Sequence, residues 1–295
     1  MSLTIQTILK ADARRLQTAL DLDAAGARIE VQCLLRAVLQ VHRAHLLAYP
    51  EQVLNPQQQT RYHAMLERRL GGEPLAYILG EREFYGLNFK VTPATLIPRA
   101  DTELLVDLAL QRIPQTLPAP AGEGSLPRVL DLGTGSGAIA LSIAHARPEI
   151  SVTAVDASED ALQVARENAH HLSIRNVRLL RSDWFAALPQ ERFDLIVSNP
   201  PYIAAGDAHL ERGDLRFEPA SALASGADGL DAIRQIIGQA ASHLTANGGL
   251  LLEHGYNQAA AVRDLLRQAG FVAVFSEQDL AGVARVSGGR VNAHK

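Results

Sequence analysis

Asn199-Pro200-Pro201-Tyr202 is the run of this sequence whose residue types and order are most specific for chemistry. A proline has no N–H, so a loop built on two of them presents hydrogen-bond acceptors almost exclusively. The residue before a proline is pushed to extended geometry, which holds Asn199 in one pose. Its side-chain oxygen and the Pro200 carbonyl can then accept the two hydrogens of one NH2 group, while Tyr202 lies flat against the planar group that carries it. The nitrogen of an amide or aromatic amine is a poor nucleophile because its lone pair is delocalised. Two acceptors draw electron density toward nitrogen and aim the lone pair at an electrophile, so the rate gain comes from positioning and electrostatics, with no strong base. The plainer alternative is a rigid turn that ends a strand, which leaves the Asn and the Tyr without a task.

A second constellation lies upstream. Asp131-Leu132-Gly133-Thr134-Gly135-Ser136-Gly137 sits between a strand-like run and the helix it opens. Glycines suit that place because the backbone must turn sharply and let a ligand approach without Cβ atoms in the way. Taken alone, Gly133-x-Gly135 followed by Ala138 also satisfies the dinucleotide-binding pattern, so the loop indicates a nucleotide-bearing cofactor without saying which. Asp131 narrows the choice, since a carboxylate beside the turn would repel a pyrophosphate but attract the ammonium of a methionine moiety. Asp156 ends the next strand, where a carboxylate can accept both ribose hydroxyls. Asp183-Trp184, after the third, offers an acceptor for an adenine amino group and an apolar wall for its ring. Singly, Asp131 reads as well as a helix cap, Asp156 as a turn former and Trp184 as core. Three strand ends in succession point instead to a ligand, because such sheets bind theirs at the carboxyl ends of the strands. The cofactor read from them is S-adenosylmethionine, and the chemistry is methylation of a planar NH2 group.

The elements that must position these loops follow from periodicity. Residues 1–72 read as a small helical bundle: Ile5, Ile8, Leu9, Leu16 and Leu20 form one helical stripe, and Ile29, Cys33, Leu34, Ala37, Val38 and Val41 another. A third helix runs from the N-cap Asn55 and Pro56 to a stop at Gly71-Gly72. Its inner face is Tyr62, Met65, Leu66, Arg69 and Leu70, with the arginine at the edge. Residues 73–98 form a bridging segment, with a hairpin or bent strand from Phe84 to Val91. Residues 99–295 form the catalytic domain, which opens on a helix from Asp101 to Arg112, and Ile113 to Pro127 is a surface connection. Strands are expected over Arg128 to Leu132, Ser151 to Asp156, Val177 to Ser182, Phe193 to Asn199, Gly249 to Glu253 and Phe271 to Phe275. The later helices are placed around Asp231 to Leu244 and Gln258 to Gln268. Short β-rich runs alternating with helices make an α/β, Rossmann-like fold with a mainly parallel sheet covered on both faces.

Composition bounds what else the chain can be. With 295 residues, 47% of them hydrophobic, it can bury a sizeable core. Its 28 Lys and Arg against 32 Asp and Glu give a formal net charge of −4, which does not supply the basic footprint of a duplex-binding protein. Cys33 is the sole cysteine, so an intrachain disulfide or a Cys-based zinc cluster is ruled out and a reduced, cytoplasmic setting is expected. The first residues show no signal-peptide core, and no stretch approaches the roughly 18 apolar residues of a membrane helix.

Phe193-Asp194-Leu195-Ile196-Val197-Ser198-Asn199-Pro200-Pro201-Tyr202-Ile203 and the glycine loop resemble those of the HemK-type peptide chain release factor glutamine methyltransferases. Gly80-Glu81-Arg82-Glu83-Phe84-Tyr85-Gly86, Ile97-Pro98-Arg99, Arg216-Phe217-Glu218-Pro219 and Leu251-Leu252-Glu253-His254-Gly255 are similar too. The resemblance implies a seven-stranded sheet with an antiparallel last strand, preceded by a small helical domain and a bridging hairpin; since the motifs all lie downstream, residues 1–72 are expected to recognise the protein substrate. It further implies methyl transfer to the glutamine of the Gly-Gly-Gln tripeptide in class I release factors. Gly133, Thr134, Gly135, Ser136, Gly137, Asp156, Trp184 and Asn199 would then hold S-adenosylmethionine, joined by Asp183. Asn199, Pro200, Pro201 and Tyr202 would hold the glutamine, with Asn199, Pro200 and Tyr202 as the catalytic set; no metal is expected. Glu253-His254 reads as the closure of a turn in preference to a catalytic pair, and Arg99 as a salt bridge or a ligand contact. The rival reading is an amino-group methyltransferase for adenine N6 in DNA or RNA, which must flip its base and needs a basic recognition region. An NAD-dependent enzyme, argued from the glycine loop alone, is opposed by Asp131 and the proline loop.

Overall fold

The computed structural model of the protein describes residues 4–113 and 126–292, so most of the connection expected between Ile113 and Pro127 lies outside the described residues. The chain divides into two units, Met1–Glu81 with Glu211–Phe217, and Arg82–Leu210 with Glu218–Lys295. Among the described residues no helix is long and apolar enough to cross a membrane.

The first unit is helical: α1 (Ile5–Leu20), α2 (Ala24–Leu39), α3 (Arg43–Ala48), α4 (Pro56–Leu70) and α5 (Leu75–Leu79). Thr4 and Asp23 cap the first two helices, and Asn55 forms a capping box with Gln58 ahead of Pro56. The unit continues past Gly71-Gly72 because α5 still packs Ile78 into the core built on Ile5, Leu16, Leu34 and Leu66. Two side chains differ from the periodic reading. The buried stripe of α2 is Ala27, Val31, Leu34, Leu35 and Val38, a helical phase that leaves Ile29 outside, 52% exposed.

Arg69 is the second, buried where an edge position was expected. Its Nε and Nη2 donate to the two oxygens of Glu30 at 2.7 and 3.0 Å, and Nη1 donates to Asp214 at 3.2 Å and to the Glu73 carbonyl at 3.0 Å. A guanidinium tolerates burial when its fork is so paired, and both carboxylates come from distant sequence. Glu30→Gln keeps the shape but removes the charge. We expect it to destabilise this unit by about 1.5 kcal/mol, the lower range for a hydrogen bond to a charged group. Chemical denaturation followed by circular dichroism measures this, and an unchanged midpoint would show that the pair adds nothing.

The second unit begins with a hairpin, β1 (Glu81–Phe84) and β2 (Leu87–Lys90), whose Phe84 and Phe89 are buried in one cluster with Val106, Ile139 and Ile143. A 3-10 turn over Ala100–Thr102 leads into α6 (Glu103–Arg112). Then come β3 (Arg128–Leu132), α7 (Ala138–Ala146), β4 (Ser151–Asp156), α8 (Glu159–His171), β5 (Val177–Arg181) and β6 (Phe193–Ser198). The chain ends with α9 (Asp231–Ala240), β7 (Leu244–Glu253), α10 (Ala259–Gln268), β8 (Val272–Gln278) and β9 (Ala284–Arg290). The strands form a seven-stranded sheet in the order β5-β4-β3-β6-β7-β9-β8, and β9 runs antiparallel to both its neighbours. Alternating side chains feed two cores. Val129, Val152, Leu195 and Leu251 point to one face, and Leu130, Val155, Ile196 and Leu250 to the other.

Where the sequence suggested helix up to Leu244, strand β7 already begins, and β8 continues past Phe275 to Gln278. Strand β9 is polar and glycine-bearing because it slots between two strands. A Cβ on Gly288 would lie 2.5 Å from the Leu250 carbonyl oxygen, so glycine is required by the approach of β7.

Candidate active site

Strand order reverses between β3 and β6, the place where sheets of this kind open a crevice at their carboxyl ends. Leu132 pairs with Val155 on one side and Ser198 on the other, so the ends of β3, β4 and β6 are level. The Ser198 hydroxyl fixes that alignment by donating to the Leu132 carbonyl at 2.7 Å. A cavity of about 540 Å³ opens above these ends.

The glycine loop forms its floor. Gly133 and Thr134 both donate their N–H to the Val155 carbonyl at 2.9 Å, which folds the chain back over β4. Gly135 has φ of +56°, and a Cβ built on it would have no protein atom within 4 Å, so its bare backbone faces open space where a ligand can approach. Gly137, with φ of +84°, serves packing instead: a Cβ there would meet Leu141 at 2.9 Å, at the start of α7.

Gly133, Thr134, Gly135, Ser136, Asp156, Asp183, Trp184, Asn199 and Pro201 line the cavity. The edge of the Trp184 ring covers Gly133 at 3.6 Å from a built Cβ, and Asp183 is exposed. Asp156 is held on both oxygens, Oδ2 accepting from Gly135 N–H and Oδ1 from Ser158 N–H, each at 2.9 Å. Each oxygen keeps a second lone pair for a ligand hydroxyl.

Asp131 does not line the cavity. It is fully buried beneath the loop, where Oδ2 accepts from the Thr134 hydroxyl at 2.6 Å while Oδ1 has no partner. Burial pushes its carboxyl up to about 7. Such an orphaned oxygen suits a nearby cation, which would hold the group ionised.

The proline loop divides differently from expectation. Asn199 and Pro201 face the cavity, whereas Pro200 is buried behind them and Tyr202 does not line it. The Tyr202 hydroxyl donates to Glu253 Oε1 at 3.4 Å, and its backbone carbonyl accepts from Gln258 Nε2 at 3.0 Å, so both its side chain and its backbone are tied to residues outside the loop. Asn199 Nδ2 donates to Thr102 Oγ1 at 3.2 Å, and no described residue hydrogen-bonds its Oδ1.

His254 is fully buried between the Ser287 hydroxyl at 2.8 Å and the Gly255 carbonyl at 2.9 Å, away from the cavity lining, and burial lowers its pKa. Arg99 lines the cavity and also donates to the buried Glu218, whose other oxygen accepts from Ile97 N–H at 3.0 Å. Thr102 and Asn168 had not been singled out. Asn168 is fully buried, donating to the carbonyls of Ser136 at 2.9 Å and Lys90 at 3.0 Å, and so ties the glycine loop to β2. Its signal was a polar residue at a core phase of α8, among Ala161, Leu162, Ala165 and Ala169.

The chain matches the family model described as Methyltransferase small domain over residues 105–222, and the one described as PrmC N-terminal domain over residues 12–80. A release factor glutamine methyltransferase of Bordetella pertussis is 51% identical to it over 268 residues, covering 90% of this chain and 96% of that protein. One of Vibrio cholerae is 45% identical over 291 residues, 98% of each chain. The chain belongs to the release factor glutamine methyltransferase family. In fold it resembles a solved methyltransferase from Pyrococcus furiosus, at 19% identity and a TM-score of 0.52 over 77% of this chain and 97% of that one. S-adenosylmethionine is the cofactor of a methyltransferase of this family, and the bare floor at Gly135 and the orphaned Asp131 oxygen fit it.

Proposed function

We propose that this chain transfers a methyl group from S-adenosylmethionine to the side-chain amide nitrogen of a glutamine, that of the Gly-Gly-Gln tripeptide in class I release factors. The observation that carries the reading is the Asn199 amide, engaged through Nδ2 and open at Oδ1 in the wall of the cavity that holds the glycine loop. Gly133 to Gly137, Asp156, Asp183 and Trp184 would hold the cofactor, with the Asp156 oxygens on the ribose. When bound, S-adenosylmethionine supplies an electrophilic methyl group on a sulfonium. Asn199 Oδ1 and the Pro200 carbonyl would accept the two N–H hydrogens of the glutamine and aim its lone pair. Methyl transfer from the sulfonium to the nitrogen so held would leave the amide with one hydrogen fewer, its proton passing to solvent.

The family's glutamine methyltransferases support the glutamine over adenine, and a net charge of −4 supplies no basic footprint for a duplex. Labelled S-adenosylmethionine offered side by side to purified release factor, duplex DNA and ribosomal RNA tests this. Label is expected in the release factor alone, on its tripeptide glutamine by fragmentation mass spectrometry; label in either nucleic acid overturns the reading.

The helical unit would recognise the protein substrate. Ile29, Leu47, Tyr49 and Val53 on it are each more than half exposed, at 52%, 59%, 58% and 52%. Joint Leu47→Glu and Tyr49→Glu should raise KM for a whole release factor about tenfold, the effect of losing about 1.4 kcal/mol of contact. Transfer to a short Gly-Gly-Gln peptide should be unaltered. An equal change in both substrates would assign the unit another task.

A further inference from the structure

The acceptor loop has a mechanical difficulty of its own. Pro200 and Pro201 carry no N–H, so the residues that make the loop rich in acceptors also strip it of two donors by which a loop is ordinarily tied down. Its position must be set from its ends. At the first end the Ser198 hydroxyl donates to the Leu132 carbonyl at 2.7 Å. At the second, the peptide joining Tyr202 to Ile203 is held on both sides. Ile203 N–H donates to the Leu223 carbonyl at 2.9 Å, and the Tyr202 carbonyl accepts from Gln258 Nε2 at 3.0 Å.

Gln258 is 9% exposed, and both ends of its amide are engaged. Oε1 accepts from Gly255 N–H at 2.8 Å, while Nε2 donates to the Asp228 carbonyl at 3.2 Å as well as to Tyr202. The amide has one orientation, because an N–H offers only a hydrogen and the two carbonyls offer only lone pairs. Three segments thus meet on this side chain: the proline loop, the loop before α9 and the turn after β7. Gly229 permits the meeting, since a Cβ there would lie 2.2 Å from the Tyr202 carbonyl oxygen and 2.8 Å from Gln258 Nε2. Gln258 stands at the N-cap of α10 but gives that helix no side-chain hydrogen bond, so the start of the helix does not account for it.

Resting on the proposed amide chemistry, we propose that Gln258 is a positioning residue for methyl transfer. Its Nε2 pins the Tyr202 carbonyl and so holds Asn199 Oδ1 and the Pro200 carbonyl where the glutamine NH2 is received. The prolines transmit the constraint: each ring fixes a φ, and each residue before a proline is held extended, so few torsions remain free between Asn199 and the pinned carbonyl. Released at that end, the loop shifts as a stiff unit and both acceptors move together. Neither Gln258 nor Tyr202 lines the cavity, so a change at Gln258 leaves the cofactor's contacts alone.

The test is Gln258→Met, which keeps the length and bulk of the side chain but donates nothing. Calorimetric titration with S-adenosylmethionine gives the cofactor affinity and counts the folded sites, so that kcat is expressed per folded molecule. Displacement by about 1 Å costs on the order of a hundredfold, and a loop still held at its other end moves less, so kcat for a whole release factor should fall about tenfold. The KM for release factor and the affinity for S-adenosylmethionine should stay at their wild-type values. Gly229→Ala, which presses on the same carbonyl from another segment, should show the same pattern. A residue that merely buttresses the fold would lower the melting temperature and the number of folded sites, with kcat per site unaltered. That result in either variant overturns the proposal, as does a loss of cofactor affinity large enough to account for the slower rate. Absence of release-factor methylation by wild type would instead sink the functional reading itself.

Discussion

Asn199→Ala should lower the rate of methyl transfer about a hundredfold while leaving the fold intact, since displacing reacting groups by about 1 Å costs on that order. Asn199 follows β6 but contributes nothing to the sheet's hydrophobic cores, and its side chain makes one hydrogen bond, to Thr102. The alanine removes one of two acceptors for the glutamine NH2 and lets the amide rotate away from the methyl group. Asn199→Asp is the sharper comparison. It keeps an oxygen toward the cavity but gives Thr102 an acceptor where it had a donor, and it adds a charge close to the sulfonium. It should retain more activity than the alanine and less than wild type. Single-turnover transfer to the tripeptide glutamine, located by fragmentation mass spectrometry, measures both. Full activity in Asn199→Ala, or methyl on another residue, would defeat the acceptor-loop mechanism.

Asp156→Ala should weaken S-adenosylmethionine binding roughly tenfold to a hundredfold, because hydrogen bonds to a charged group are each worth about 1.5–3 kcal/mol. The structure adds a second route to the same loss. Both oxygens already receive backbone N–H groups, from Gly135 in the cavity floor and Ser158 at the cap of α8. The alanine therefore removes the ribose acceptors and also loosens Gly135, whose bare backbone the ligand must approach. Asp156→Asn separates the two contributions, since its single oxygen can keep Gly135 in place while its NH2 end meets Ser158 N–H unfavourably. Its affinity should lie between those of the alanine and wild type. Isothermal titration with S-adenosylmethionine gives the constants, and an affinity of Asp156→Ala equal to wild type removes Asp156 from the site.

Much of the site was legible because its chemistry is local. Asn199-Pro200-Pro201-Tyr202 and Gly133 to Gly137 act through backbone geometry that a few adjacent residues impose, and the elements around them have strong periodicity. Asp156 was singled out by its place at a strand end, and the structure puts it in the lining of the cavity. Tyr202 shows the limit. Its position in the motif suggested a ring against the substrate, yet its hydroxyl is drawn to a carboxylate on another strand. Asp131 is similar: the sequence placed it beside the ligand, and the fold puts it under the loop, acting past Thr134.

By itself, then, the sequence determined the strand–helix alternation from Arg128 to Phe275, the glycine and proline loops, and a nucleotide-bearing methyl donor facing a planar NH2, but not the short helices α3 and α5 or the residues of β9. Each feature so determined follows from steric and hydrogen-bonding rules that span a few residues. Only the tertiary structure decided that Thr102 and Glu253, 97 and 51 residues from their partners Asn199 and Tyr202, stand behind the acceptor loop. It likewise decided that Arg69 is buried by Glu30 and Asp214, and that β9 slides between β7 and β8. Burial and pairing at such separations depend on which surfaces the packed elements bring together, and no short stretch of chain carries that information.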